Sequence, residues 1–476
     1  MKKYIPFVIA FALFMETLDA TIISTAIPKM SISFGIDPVD LKVALTSYLL
    51  SLAIFIPISG WCADRFGTKK IFISALLAFT IGSLLCGLSV NIITLVLSRI
   101  IQGIGGALMM PVGRLILLKS FPKSELIKAT NYVTIPALTG PALGPVLGGI
   151  IVSYISWRWI FIVNIPFGIA GIVFAMKVLE NHIAKKINKL DFLGFILFGI
   201  GLSGFSFAIE SIGNDTLNFN FILWTMLFSL FVISIYFLRS RHVKFPFIDI
   251  SIFKIKTFRI TVAGSFLSRC GMGGMPFLLP IFFQLGLGKS PLESGLLLLP
   301  YAIAMLMTKF FVRGCLKLFG FKNLLIVNTC LLGLSILAFN FVSVHVSIYL
   351  LIIILFAHGL LTSLQFSCMN NLTYIDLTEE IASSGTSIAS AAQQLSMSFG
   401  IAISAIALEY LLGGNGNSFY MQANAFHLTF VVVGLITLLS TFIFTFLGKH
   451  DGLGAVRYRV KNRDSSEEIL LNEESN

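Results

Sequence analysis

The chain has 476 residues, of which 56% are hydrophobic and only 12% charged, and its formal net charge is +12. A soluble chain carries about 25% charged residues, so this composition excludes a soluble globular protein. The basic excess fits loops at a membrane surface, which favour anionic lipid headgroups, and does not call for nucleic acid.

Apolar stretches of about 20 residues, each long enough to cross roughly 30 Å of hydrocarbon as a helix, recur along the sequence. Fourteen spans are expected, near residues 5–28, 42–61, 71–90, 92–118, 130–154, 158–178, 192–212, 219–238, 259–286, 292–312, 322–342, 346–368, 383–411 and 424–447. The first follows Met1-Lys2-Lys3, is too long for a signal-peptide core and lacks a cleavage pattern, so it is expected to stay as an anchor. An even number of spans puts both termini on one side. Lys and Arg crowd the loops of that side and the two tails, while only Lys29, Lys42, Arg158 and Lys289 lie opposite. The positive-inside rule then predicts that both termini are cytoplasmic.

In chain order, span 1 carries LDATIISTAIP (Leu18–Pro28). The loop after span 2 reads GWCADRFGTKK, with Gly60, Asp64, Arg65, Gly67, Lys69 and Lys70; its glycines permit tight turns, and Asp64 suits the partial positive charge of a helix N-terminus. Span 4 holds LVLSRIIQGIGGA (Leu95–Ala107) and span 5 TGPALGPVLGGII (Thr139–Ile151), followed by WRWIFIVNIPFG. In span 5, Gly140, Gly144, Gly148 and Gly149 make a small-residue face for close helix packing, and Pro141 and Pro145 remove backbone hydrogen bonds and bend the helix. GLGKS at 286–290 is a decoy, because the phosphate-loop pattern needs glycine where Phe283 stands. Between spans 10 and 11, GCLKLFGFK repeats the first loop in worn form, with Gly314, Gly320 and Lys322 kept and Lys317 near the place of the acid. Six cysteines lie in or at the ends of spans and are read as reduced packing residues. The tail from Gly448 mixes charges of both signs and is expected to be disordered.

The loop resembles the G-x-x-x-D-R-x-G-x-(K/R)-(K/R) element of the major facilitator superfamily. The span 1, span 4 and span 5 stretches are similar to the signatures of its fourteen-span drug/proton antiporter family, nearest to its bacterial inner-membrane exporters. The resemblance covers all but the tail. It implies an all-α polytopic membrane protein of the major facilitator fold, with 14 transmembrane helices in two six-helix bundles plus two linker helices. The units expected are 1–180, the extra pair at 181–250, 251–447 and the tail at 448–476. Implied too are proton-coupled export of small organic molecules by alternating access, and a bacterial inner-membrane location. The first loop would stabilise one conformation as a cytoplasmic latch, with the start of span 13 at IASSGTS as its partner. The span 5 element would bias the gate against leakage.

An ionisable residue inside a span is costly and is a functional candidate by default. At about 1.5 Å per residue, Asp19 lies roughly 20 Å along span 1 and Arg99 about 12 Å along the antiparallel span 4, so the two nearly coincide in depth. They are read as a proton and substrate-coupling pair, or as a purely structural ion pair. Glu16 shares the helical face of Asp19, nearer the midplane. Arg269 lies mid-depth in span 9 within LSRCGMGGMPFLLP, suited either to an anionic substrate or to neutralising a carboxylate across a cavity. His358 in span 12 is a packing residue or a proton-transfer group. Lys309 and Arg114 snorkel, Glu210 and Glu409 sit near the outer rim, and Asn370 and Asn371 follow span 12 as cap or gate residues.

No nucleotide-binding or metal motif accompanies these charges, so the expected partners are protons, a small-molecule substrate and lipid, with no cofactor, for a protein working as a monomer. Substrate charge stays open. An amphipathic drug or cation would meet Glu16 and Asp19, whereas an anionic metabolite or metal-chelating carboxylate would meet Arg269. The sequence holds no H-E-x-x-H and no nucleophile–histidine pair at matching depth for an intramembrane enzyme. A receptor that kept the fold and lost transport is the remaining alternative.

Overall fold

Backbone groups in hydrocarbon find no water, so a spanning segment satisfies them within itself, as a helix does. The computed structural model describes residues 2–184, 189–212, 217–412, 423–448 and 451, and no strand occurs among them. The first helices are α1 (Lys2–Phe34), α2 (Pro38–Phe66), α3 (Thr68–Gly87) and α4 (Ile92–Ser120), then α5 (Lys123–Tyr154). Next come α6 (Trp159–Val178), α7 (Phe192–Glu210), α8 (Phe219–Ser240) and α9 (Lys256–Gly286). Pro291–Phe341 holds two spans, α10 (291–319) and α11 (321–341), parted at Gly320 by a φ of 69°. The set of fourteen closes with α12 (Ile348–Tyr374), α13 (Glu379–Leu412) and α14 (Ala423–Thr445).

Several helices outrun the apolar stretches that announce them. α2 continues through Arg65, and α13 starts four residues before the expected 383. Hydropathy marks only the hydrocarbon, while a helix runs until a residue stops it; for α2 that residue is Gly67, at φ 97°. The tail from 449 onward, Asp451 apart, lies outside the described residues.

Helices α1–α6 pack as one bundle and α9–α14 as another. Between them in sequence, α7 and α8 form a hairpin that lies against α2 and α13. Asp191 caps this hairpin by accepting from Gly194 N at 2.9 Å, and closes it through Arg239 Nη1 at 2.7 Å.

The worn sequence repeat becomes a structural one. Gly67 and Gly320 both take positive φ at the turn before α3 and α11. Two residues later, Lys69 Nζ donates to the Met176 carbonyl at the end of α6, at 2.6 Å. Lys322 Nζ likewise reaches the Thr445 and Leu447 carbonyls at the end of α14, at 2.8 and 2.6 Å. In each half a lysine therefore meets the negative end of the last helix, where a cation is favoured.

The small-residue face of α5 makes two different contacts. Gly140, Gly144 and Gly148 stand against Thr17, Thr21 and Thr25 of α1, one rung per helical turn, within the first half. The approach is so close that a Cβ at Gly148 would lie 2.6 Å from the Ile22 carbonyl oxygen. The threonine hydroxyls bond back to carbonyls of their own helix, such as Thr17 Oγ1 to Leu13 O at 2.8 Å, and so need no partner on α5. Gly149 alone faces the second half: a Cβ there would meet the Pro291 carbonyl oxygen at 2.5 Å. The four glycines expected to share one packing face are thus divided between two contacts, because glycines four apart share a face and the residue next to the last of them is turned away. The α5 helix remains continuous through Pro141 and Pro145.

Gly144→Ala drives a methyl group into Thr21, and we expect it to lower stability by about 1–3 kcal/mol, the usual cost of overpacking. Adding Thr21→Ala removes the obstructing atoms and should recover most of that loss. Thermal melting of the purified single and double variants checks this; a double variant no more stable than Gly144→Ala would contradict the ladder.

Candidate functional site

Asp19 is completely buried in the first half. Its Oδ2 accepts from Arg99 Nη1 at 2.6 Å, and its Oδ1 accepts from Gln102 Nε2 at 2.9 Å and Asn164 Nδ2 at 2.8 Å. Arg99, 1% exposed, also donates through Nη1 to Gln102 Oε1 at 2.6 Å and through Nε to the Ala44 carbonyl at 3.2 Å. Its guanidinium carbon lies 4.3 Å from the centre of the Tyr48 ring, a cation–π contact. Gln102 passes the network to Ser83 Oγ on α3, at 2.7 Å. A single carboxylate thus ties together α1, α4 and α6, and through Arg99 it reaches α2.

Depth along the helices pairs Asp19 with Arg99, and the structure realises that pair, but three polar partners escape the depth argument. Gln102 and Asn164 lie within the span 4 and post-span-5 stretches, and Ser83 lies in span 3. The signal that could find Gln102 is its i, i+3 spacing from Arg99, which places both on one helical face.

Glu16 is 7% exposed and lies one turn from Asp19. It sits where Gly106 leaves room: a Cβ at Gly106 would lie 3.0 Å from Tyr48 Oη and 3.7 Å from Glu16 Oε1. Neither Glu16 Oε2 nor Tyr48 Oη has a hydrogen-bond partner. The site therefore offers one carboxylate fully bonded and a second one poised beside it.

Arg269 and His358 are not brought to this cluster; both lie in the second half. Arg269 is 4% exposed, donates from Nη2 to Asn370 Oδ1 at 2.9 Å and stacks on Phe366 at 5.0 Å, while its Nε is unpartnered. Among the described residues no carboxylate stands within ion-pair distance of it. It lines a small polar cleft with Ser265, Tyr374 and Gln393. Asn370 is thus the arginine's orienting partner. His358 bonds through Nδ1 to Ser335 Oγ at 2.9 Å, stacks on Tyr301 and meets the edge of Phe339, all within its own bundle.

The loop after α2 is fastened differently from the expected latch. Asp64 Oδ1 meets Lys119 Nζ of α4 at 3.4 Å, and its carbonyl accepts from Ala184 N at 3.2 Å. Thr68 N donates to the His182 carbonyl at 3.1 Å, and Gly67 packs on the Asn181 side chain. The loop thus grips the segment after α6 that leads to the linker hairpin. Its expected partner, the IASSGTS stretch, lies inside α13, whose first turn begins at Glu379; its serines are not at the helix cap.

The halves meet by hydrogen bonds at the face opposite the N-terminus. There Lys42 Nζ of α2 bonds Glu409 Oε2 of α13 at 2.9 Å, and Gln284 Nε2 of α9 donates to the Thr25 carbonyl at 3.0 Å. Gly149 and Gly295 pack against the neighbouring backbones of α10 and α5 in the same region.

Residues 9–253 match the Major Facilitator Superfamily. Among curated proteins, the chain is 39% identical over 399 residues to the putative multidrug resistance protein MdtD of Serratia proteamaculans (strain 568), covering 84% of this chain and 83% of that one. It is 37% identical over 444 residues to the protein of that name in Citrobacter koseri, covering 92% and 93%. Among solved structures, a D-xylose–proton symporter superimposes with a TM-score of 0.67 at 16% identity, over 94% of this chain and 98% of that one. A bacterial homologue of the human lysosomal transporter Spinster, inward-facing and unoccupied, gives 0.66 at 16% identity, over 95% and 98%. Fold, sequence and the paired halves agree: this chain belongs to the Major Facilitator Superfamily of membrane transporters.

Proposed function

We propose that the protein is a proton-coupled antiporter that exports small organic molecules of the multidrug type across a bacterial inner membrane, with both termini in the cytoplasm. The observation that carries the reading is the unequal pair of acids on α1. Both oxygens of Asp19 are bonded, one of them to a buried guanidinium, so protonating it means breaking bonds that hold several helices together. Glu16 has a buried oxygen with no partner and takes a proton without breaking any bond. Asp19 is accordingly the anchor of the site and Glu16 the carrier.

Motion follows from the packing. The α1 helix is meshed with α5 through the glycine–threonine ladder, and α5 touches α10 across the seam at Gly149 and Gly295. A change of charge at Glu16 is thereby connected, through packed helices, to the contact between the halves. The multidrug name carried by the relatives supports an organic cargo.

Arg269 supports a second reading of the cargo. A buried guanidinium with a free Nε and no carboxylate counter-ion among the described residues is an anion receptor by its chemistry. On that reading the exported molecule is an anionic metabolite or a metal-chelating carboxylate.

Everted vesicles with a respiration-driven pH gradient test both. Substrate-dependent proton release is expected, and Glu16→Gln should abolish it while leaving thermal stability close to that of the wild type. Asp19→Asn should abolish release and also destabilise the protein by about 3–5 kcal/mol, the cost of stranding a buried charge. Release that persists in Glu16→Gln would remove it as the carrier. A panel of organic cations and carboxylates then sorts the cargo: Arg269→Gln should abolish the response to carboxylates and spare that to cations. A response to carboxylates that survives Arg269→Gln would discard the second reading.

A further inference from the structure

Three charges at the face opposite the N-terminus stand at the wrong ends of their helices. Lys42 opens the α-helical part of α2, at Lys42–Phe55, where the dipole is positive. Glu409 lies in the last turn of α13, which ends at Leu412, and Glu210 is the last residue of α7, both where the dipole is negative. Such a placement is unfavourable unless the charges offset one another. Lys42 is only 4% exposed, so its ammonium depends on such a partner.

Glu409 is that partner here, and it belongs to the other half. Among the described residues the Lys42–Glu409 pair is the one ion pair that joins the two six-helix bundles. Opening this face must part them. Parting from Glu409 would leave buried Lys42 with Asp40 as its remaining acid, and losing a partner there would raise the barrier.

We propose that Glu210 of the linker hairpin is a positioning residue of the transport cycle, the acid to which Lys42 is handed when Glu409 withdraws. Glu210 sits beside Thr46, one turn along α2 from Lys42, and within electrostatic reach of the lysine. It is held there by Ser206 Oγ, which donates to Glu210 Oε1 at 3.0 Å. The α7 helix packs on both α2 and α13, so it borders the seam, and the handover requires it to stay with Lys42 as α13 leaves. Asp40, the third acid within reach of Lys42, precedes it on α2 and moves with it. The linker hairpin thereby brings a replacement counter-ion to the gate. The inference rests on alternating access and is independent of proton coupling and of cargo.

The experiment uses full-length protein in liposomes, with the six native cysteines replaced and spin labels at positions 90 and 344, on the loops after α3 and α11 at this face. Distance distributions report closed and open populations without substrate or a pH gradient. Glu409→Gln is expected to shift the distribution toward longer distances. Glu210→Gln should keep the closed peak and deplete the open one. The exchange Lys42→Glu with Glu409→Lys should restore closure and still lack the open population, because position 42 then faces a like charge at Glu210. Adding Glu210→Lys should bring the open population back. A wild-type distribution in Glu210→Gln, or a double exchange that opens as well as the triple one, would overturn the assignment.

Discussion

Everything in the first half is arranged around one buried ion pair. Asp19 and Arg99 lie with almost no contact with solvent, in a region where an unpaired charge costs several kcal/mol. The surroundings meet that demand, with Gln102 and Asn164 on the carboxylate and the Ala44 carbonyl on the guanidinium. These partners come from different helices, so the same bonds that solvate the charge also fix the relative positions of those helices. The pair is a fixed point of the bundle, and beside it Glu16 keeps a buried carboxylate oxygen without a hydrogen-bond partner.

The mounting of α1 against α5 is of another kind. Its contact with α5 is made through glycines and threonines whose hydroxyls are bonded to their own helix. Contacts of this type are close and dispersive, and the ladder needs no bond from one helix to the other. Small residues allow backbones to approach, which is a main source of attraction where lipid removes the hydrophobic drive. The seam between the halves combines such close packing, at Gly149 and Gly295, with specific bonds. There an ion pair and a hydrogen bond between side chain and backbone join them, interactions that are specific and can be exchanged for others.

The two halves also show how a repeat survives loss of its most visible residue. The second loop lacks the acid at the place of Asp64, yet it retains the left-handed glycine and the lysine that caps the last helix of its own bundle. Keeping that geometry closes both six-helix units at the same point. The acid is specific to the first half, where it meets Lys119 and where the adjoining backbone holds the segment leading to the linker hairpin.

The sequence by itself determined the membrane class, the fourteen spans, the two-fold repeat and the depth match of Asp19 with Arg99. Each of these depends on local composition or on position along a helix of known rise, so it can be read one segment at a time. Only the tertiary structure decided which helices meet. Asn164 and Gln102 became partners of Asp19, the α5 glycines were divided between α1 and α10, and Asp64 met Lys119 of α4. Lys42, Glu210 and Glu409, far apart in the chain, were gathered at one seam. The physical reason is rotation about the helix axis: hydropathy fixes how far a side chain lies into the bilayer, but it is nearly silent on the direction in which that side chain points. In a chain whose helices are apolar on every side, direction is set by packing against neighbours alone.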